Sequence, residues 1–288
     1  MSSIIDDLKF QYRVGGIANK MIYWNVAVFL LSVVFFYQFK LGLFLYPDWL
    51  AVSSDPMVFL KQPWTLLTYA FFHEGFMHLF FNMLILNFSS RLFLTFFTEK
   101  QYLGLYLLSA VFSSIIFVVG FYFLDRISMM IGASACIMAL LVATTTYQPL
   151  MDIRLLLIGN VKLWHITGVI LLIFLLQIGY DNTGGHIAHF SGAFFGFVYV
   201  KLLQKGIDLT KIIEVGIDFF KSLFSRKKTT PFKKVHRNYN ENTNKTVSKI
   251  ITKDRQQQQI DEILDKISQS GYDSLTAPEK EFLFKAGK

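Results

Sequence analysis

The sequence predicts an all-α polytopic membrane protein, a bundle of six spanning helices, and three observations carry that prediction. Of 288 residues, 53% are hydrophobic and only 17% are charged, whereas a soluble chain carries about 25% charged residues. The charge is also unevenly placed: residues 1–200 hold 10 Lys and Arg against 9 Asp and Glu, and residues 201–288 hold 18 against 11. Finally, charge-free runs of spanning length, ~17–25 residues, recur through the first two thirds of the chain. Such hydrophobicity excludes a disordered chain. The single cysteine, Cys136, excludes an internal disulfide framework and multi-cysteine zinc or iron–sulfur sites.

Residues 1–20 are polar, and no small-residue cleavage site follows the first apolar run, so a cleavable signal peptide is not expected. The membrane domain is expected over 21–204, with spans at Met21–Gln38, Gly75–Thr98, Gln101–Leu124, Ile127–Met151, Leu163–Tyr180 and Asn182–Val200. Arg91 interrupts the second, in its last third, where a long cation reaches the interface. Six spans put both termini on one side. Lys9, Arg13 and Lys20 before the first span, with Lys201, Lys205, Arg226, Lys227, Lys228, Lys233 and Lys234 after the last, mark that side as cytoplasmic.

A basic, flexible cytoplasmic linker is expected over 205–259. Over 260–288 a small helical hairpin is expected, because Ile260, Ile263, Leu264 and Ile267 recur at helical spacing, Gly271 stops them, and Thr276 with Glu279 forms a capping-box signal. The tail's partner is not readable from these residues.

Ionisable and polar side chains inside spans are costly and are functional candidates. His236 lies in the tail, and His165 sits at the start of the fifth span as an interfacial residue. His73-Glu74 and His78 do not make a zinc motif: the spacing is H-E-x-x-x-H, and five residues on a helix rotate ~140°, which separates the two rings. No metal or other cofactor is expected, and no nucleic acid.

His78 and Asn82, four apart, share a face at the start of span two. Ser134 opens span four and His189 stands one to two turns into span six. Spans two, four and six run in one direction, so these four residues fall in one layer near the outer face. The stripes Ala135-x-x-x-Ala139-x-x-x-Ala143 and Ala188-x-x-x-Gly192-x-x-x-Gly196 let spans four and six approach closely. That approach brings the Ser134 hydroxyl to the His189 ring as a nucleophile to its general base.

These residues resemble the rhomboid family of intramembrane serine proteases. His78-Leu-Phe-Phe-Asn82 is similar to the family's H-x-x-x-N, Gly132-Ala-Ser134-Ala135 to its G-x-S-G, and Ala188-His189-x-x-Gly192 to its A-H-x-x-G. The resemblance covers roughly residues 15–205. It implies a bacterial type with a six-helix core, a Ser134–His189 dyad without an acidic third member, and an oxyanion pocket from Asn82, His78 and the Ser134 N–H. Its substrates would be other membrane proteins, cut in or near a transmembrane segment within the lipid bilayer of the bacterial inner membrane. It also implies a cap over the site in the loop containing Asn182, Thr183, Gly184, Gly185 and His186.

Three positions depart from the family pattern. Ala135 replaces a glycine, Trp64-Thr65 replaces Trp-Arg, and Met138 stands where some members stack an aromatic ring on the catalytic imidazole. An inactive relative that binds membrane helices without cutting them is the alternative; it predicts loss of a catalytic residue, and both Ser134 and His189 are present. A transporter with midplane histidines fits less well, because these residues cluster near helix starts.

Overall fold

The computed structural model describes residues 3–156, 158–177, 183–213, 215–216 and 243–286. The chain forms two compact units, Met1–Arg226 and Lys227–Lys288.

The first unit opens with α1 (Ile4–Val14), whose N-cap Ser3 hydroxyl accepts the Ile5 N–H. Six apolar helices follow in the expected order: α2 (Gly16–Phe36), then after a long connection α5 (Phe76–Phe96), α6 (Glu99–Leu124), α7 (Ser134–Tyr147), α8 (Leu163–Gln177) and α9 (Thr183–Gln204). The connection carries two short helices, α3 (Pro56–Lys61) and α4 (Thr65–Thr68), and a 3₁₀ turn at Tyr69–Phe71. Four helices, α2, α5, α6 and α9, are long and apolar enough to cross a membrane; α7 and α8 are apolar but shorter. Three two-stranded antiparallel pairs complete the unit. They are β1 (Tyr37–Gln38) with β2 (Leu43–Phe44), β3 (Val52–Ser53) with β4 (Met129–Met130), and β5 (Asp152–Leu155) with β6 (Gly159–Lys162).

At α7 the structure departs from the expected span, Ile127–Met151. Helix begins only at Ser134, because Met129–Met130 are extended against Val52–Ser53 and Gly132 turns the chain at φ 127°. Fourteen residues rise ~21 Å, less than the ~30 Å of hydrocarbon. Ala135 through Leu141, with Ala143 and Thr144, are buried nearly all round the helix, as in a helix enclosed by others. Helices α5, α6 and α9 surround it, α9 most extensively.

Several polar groups within the bundle are paired locally. The Ser90 and Tyr102 hydroxyls link α5 to α6 at 2.8 Å, and Thr144 donates back to the Leu140 carbonyl. The exposed Arg91 donates to Asn87 Oδ1. Beyond α9, Asp208 accepts from the Thr210 N–H and hydroxyl and from Gln101 Nε2 on α6.

In the second unit, α10 (Thr243–Ser270) and α11 (Ala277–Ala286) flank a turn in which Gly271 has φ 77°. Helix begins at Thr243, well before the Ile260 at which apolar periodicity starts. Glu279 accepts from the Thr276 N–H and hydroxyl and pairs with Lys266 of α10 at 2.9 Å. The linker cations Lys227, Lys228, Lys233 and Lys234, and His236, lie outside the described residues.

Candidate active site

The chain entering α7 is fixed from the long connection. The Ser54 hydroxyl accepts the Ser128 N–H (2.8 Å), the Ser54 N–H reaches the Ser128 carbonyl (2.9 Å), and the Gly132 N–H donates to the Tyr69 carbonyl (2.9 Å). Tyr69 is fully buried and its hydroxyl is bonded to the Ala110 carbonyl of α6. Gly132 is required here twice over. Its φ of 127° lies where L side chains strain, and a Cβ would stand 3.0 Å from the His78 ring and 3.8 Å from Ser134 Oγ.

Ser134 is therefore the first residue of α7, with no side chain capping the helix start. First-turn N–H groups have no intrahelical acceptor, and the positive end of the helix dipole lies beside them. The nearest backbone bond of the next turn runs from the Ile137 N–H to the Ala133 carbonyl.

His189 comes from α9, and glycines set how near that helix approaches. A Cβ on Gly192 would lie 2.1 Å from the Ala135 carbonyl oxygen, and one on Gly196 2.2 Å from that of Ala139. Helices α7 and α9 are thus in backbone contact along the small-residue stripes. Across this contact His189 Nε2 stands 2.7 Å from Ser134 Oγ. The departure at Ala135 is accommodated: its side chain is buried in the core while the close approach is made to its carbonyl.

His78 borders the same place from α5, and Asn82 stands one turn farther along that helix. The Glu74 N–H donates to His78 Nδ1 at 3.4 Å, so a neutral ring carries its proton on Nε2. Nε2, together with Cε1, lies 3.0 Å from the Gly132 Cβ position, beside the start of α7. Asn82 is buried, and its amide Nδ2 has no hydrogen-bond partner among the described residues. A buried unpaired donor is costly, and here it sits on the α5 face that carries His78.

Three nearby rings differ from expectation. His73 does not share a helix with His78: α5 starts at Phe76, and from the preceding connection the His73 ring meets His78 edge-on at 5.1 Å. His186 and Thr183 belong to the first turn of α9 rather than to a loop, and the buried His186 ring lies 5.8 Å from His189. The ring packed on His189 is Phe174 of α8, at 4.2 Å between centroids. Met138 lies in an apolar cluster with Phe174 at its edge. Sequence reasoning missed Phe174, although the buried Thr167, seven residues earlier on the same face of α8, marks that face. His165 is exposed with its ring tilted against that of Trp164, and Trp64 donates to the Trp49 carbonyl, which anchors the connection without an arginine. Asn182, expected in the cap, lies outside the described residues.

Among known proteins, a search of curated sequences finds no match to the chain. Residues 251–285 match a family of unknown function (DUF6576), which covers most of the α10–α11 hairpin. Residues 60–206, just over half of the chain and containing α5 through α9 with Ser134, His189, His78 and Asn82, match the family described as the Rhomboid domain, and the chain therefore belongs to the rhomboid family of multi-pass membrane proteins.

Proposed function

We propose that the protein is an intramembrane serine endopeptidase that hydrolyses peptide bonds in or near transmembrane segments of other membrane proteins. The observation that carries this reading is the 2.7 Å separation of His189 Nε2 and Ser134 Oγ. For attack, His189 takes the tautomer with its proton on Nδ1, so that the Nε2 lone pair accepts the Ser134 proton as Oγ adds to the scissile carbonyl. Nδ1 of His189 has no acceptor among the described residues, which is consistent with a dyad lacking a third acidic member.

The oxyanion of the tetrahedral intermediate is received by the Ser134 N–H at the helix start, Asn82 Nδ2 and His78 Nε2–H. His78 acts there as a donor, not a base. Collapse expels the amine, which takes its proton from His189, and leaves an acyl-Ser134. Water, activated by the same imidazole, releases the carboxylate and restores Ser134. In this reading the protein lies in a bacterial inner membrane, and the basic flanks of the spans support cytoplasmic termini with the site toward the outer face.

The test is cleavage of a reconstituted model transmembrane substrate. Ser134→Ala is expected to lower the rate by at least about 10⁴-fold, and a fluorophosphonate probe is expected to label wild type but not His189→Ala. Cleavage that persists in Ser134→Ala refutes the assignment.

A further inference from the structure

Helix α2 has two faces with different fates. Ala18, Met21, Asn25, Phe29 and Ser32 are buried toward the bundle. On the other side Lys20, Tyr23, Val26, Ala27 and Leu30 form, with Leu8, Lys9, Tyr12 and Arg13 of α1, a groove of about 750 Å³. The α1 residues recur at i, i+1, i+4 and i+5, which is one face of a helix. Its position is held by the Tyr23 hydroxyl donating to Gln11 Oε1 (3.0 Å) and by Tyr12 and Tyr23 rings 6.0 Å apart.

Three cations, Lys9, Arg13 and Lys20, and two tyrosines line the groove with the apolar Leu8, Val26, Ala27 and Leu30; along α2 the cation Lys20 comes first, and Val26, Ala27 and Leu30 follow it. No acidic residue lines it, and among the described residues none of the three cations forms an ion pair. Glu99, the acid that touches the start of α2, is engaged by the Ile17 N–H (3.0 Å). Lys20 Nζ lies 6.0 Å from the Tyr12 ring centroid, at the outer edge of cation–π contact, so its charge is left for an anion.

Membrane depth supplies the scale. Ten residues from Lys20 to Leu30 rise ~15 Å, half of a ~30 Å hydrocarbon core. Cations and tyrosines at one end of such a strip sit at headgroup level, and the apolar end runs the depth of one leaflet. Ile5, Phe10 and Val14 of α1 are more than 60% exposed, as in a helix lying in the interface. From these features we infer that the α1–α2 groove is a binding site for one anionic glycerophospholipid. Lys9, Arg13 and Lys20 hold its phosphodiester headgroup, and one acyl chain lies along Val26, Ala27 and Leu30. The site is separate from the Ser134 chemistry and does not rest on it.

The probes are phosphatidylglycerol, phosphatidylcholine and soluble glycerol 3-phosphate, added to the delipidated full-length protein and read by native mass spectrometry. Phosphatidylglycerol is expected to bind at one molecule per chain, about a hundredfold more tightly than phosphatidylcholine, at about fivefold per cation. Combined Lys9→Gln, Arg13→Gln and Lys20→Gln is expected to remove that preference. Ala27→Trp, an exposed position outside the core, is expected to lower retention of both lipids by obstructing the acyl strip with the charges intact, and it carries the test if the triple variant does not fold. Lys201→Gln with Lys205→Gln, cations beyond the groove, should leave retention unchanged. Equal binding of the two lipids, an unaltered triple variant, no effect of Ala27→Trp, or an equal loss in the Lys201/Lys205 variant overturns the proposal. So does full competition by glycerol 3-phosphate, which would make the site one for a free phosphate.

Discussion

Two helix pairs in this chain are held together by opposite means. Helices α7 and α9 meet backbone to backbone, with Gly192 against the Ala135 carbonyl and Gly196 against that of Ala139. Helices α10 and α11 are joined by the Lys266–Glu279 ion pair, with Ile263 of α10 and Leu275 of the connecting turn buried. The difference follows from the solvent. In lipid, apolar burial does not drive helices together, so shape and close dispersion contact do. A polar pair in water gains from even a small apolar contact, and its exposed ion pair adds little and is screened by salt. Positions set by shape tolerate almost no change, and it is on that rigid pair that Ser134 and His189 are mounted.

Gly192→Val gives the largest expected effect, because a Cβ there meets backbone that cannot swing aside. Overpacking costs about 1–3 kcal/mol where neighbours can give, and here the loss is expected at or above the top of that range. It should read as a collapse of the thermal transition in detergent. Gly168→Val on α8, with nothing within 4 Å of its Cβ position, should be near neutral. Comparable losses at the two positions would remove the distinction.

Gly132→Ala comes next. Its backbone conformation costs a non-glycine residue about 1–3 kcal/mol, and the added methyl presses on the His78 ring. A lower melting temperature is expected together with slower substrate cleavage, and the cleavage loss should exceed what the unfolded fraction accounts for. Phe174→Leu is milder still. A ring pair is worth about 0.5–1.5 kcal/mol, so cleavage should slow by up to about tenfold while the melting temperature stays within a few degrees. An unchanged rate would mean that Phe174 does not orient His189.

What the sequence revealed tracks the same physics. Spans were legible wherever charge bounded them: Gln101–Leu124 against the observed Glu99–Leu124, and Gly75–Thr98 against Phe76–Phe96. The start of α7 was not, since absence of charge cannot separate an extended Met129–Met130 from helix when every neighbour is apolar. Gly132 was the local sign of the break. The juxtaposition of Ser134 and His189 was legible because small residues mark close approach directly. His73 stands before α5, so the helical rotation invoked to separate it from His78 does not apply, and the one sign of the Phe174 face was Thr167, a buried polar residue seven earlier on α8.

The polar pair yields the smallest effect and the most specific one. The Lys266 ammonium, with the Thr276 N–H and hydroxyl, pulls the Glu279 carboxyl from its ordinary 4.5 down to about 2. A carboxyl whose value is lowered by folding stabilises the folded form above its unfolded pKa and loses that contribution as pH falls through the folded one. The hairpin should therefore be insensitive to pH above about 4.5 and loosen between 4.5 and about 2. The Thr276 amide resonance is expected to follow that titration, and 1 M salt, with a screening length of about 3 Å, should move its midpoint upward. Glu279→Gln should abolish the titration of this amide while leaving the melting of the membrane unit unaltered. A midpoint at 4.5 in low salt would show the carboxylate unpaired in solution, and the contrast with α7–α9 would then rest on Ile263 and Leu275 alone.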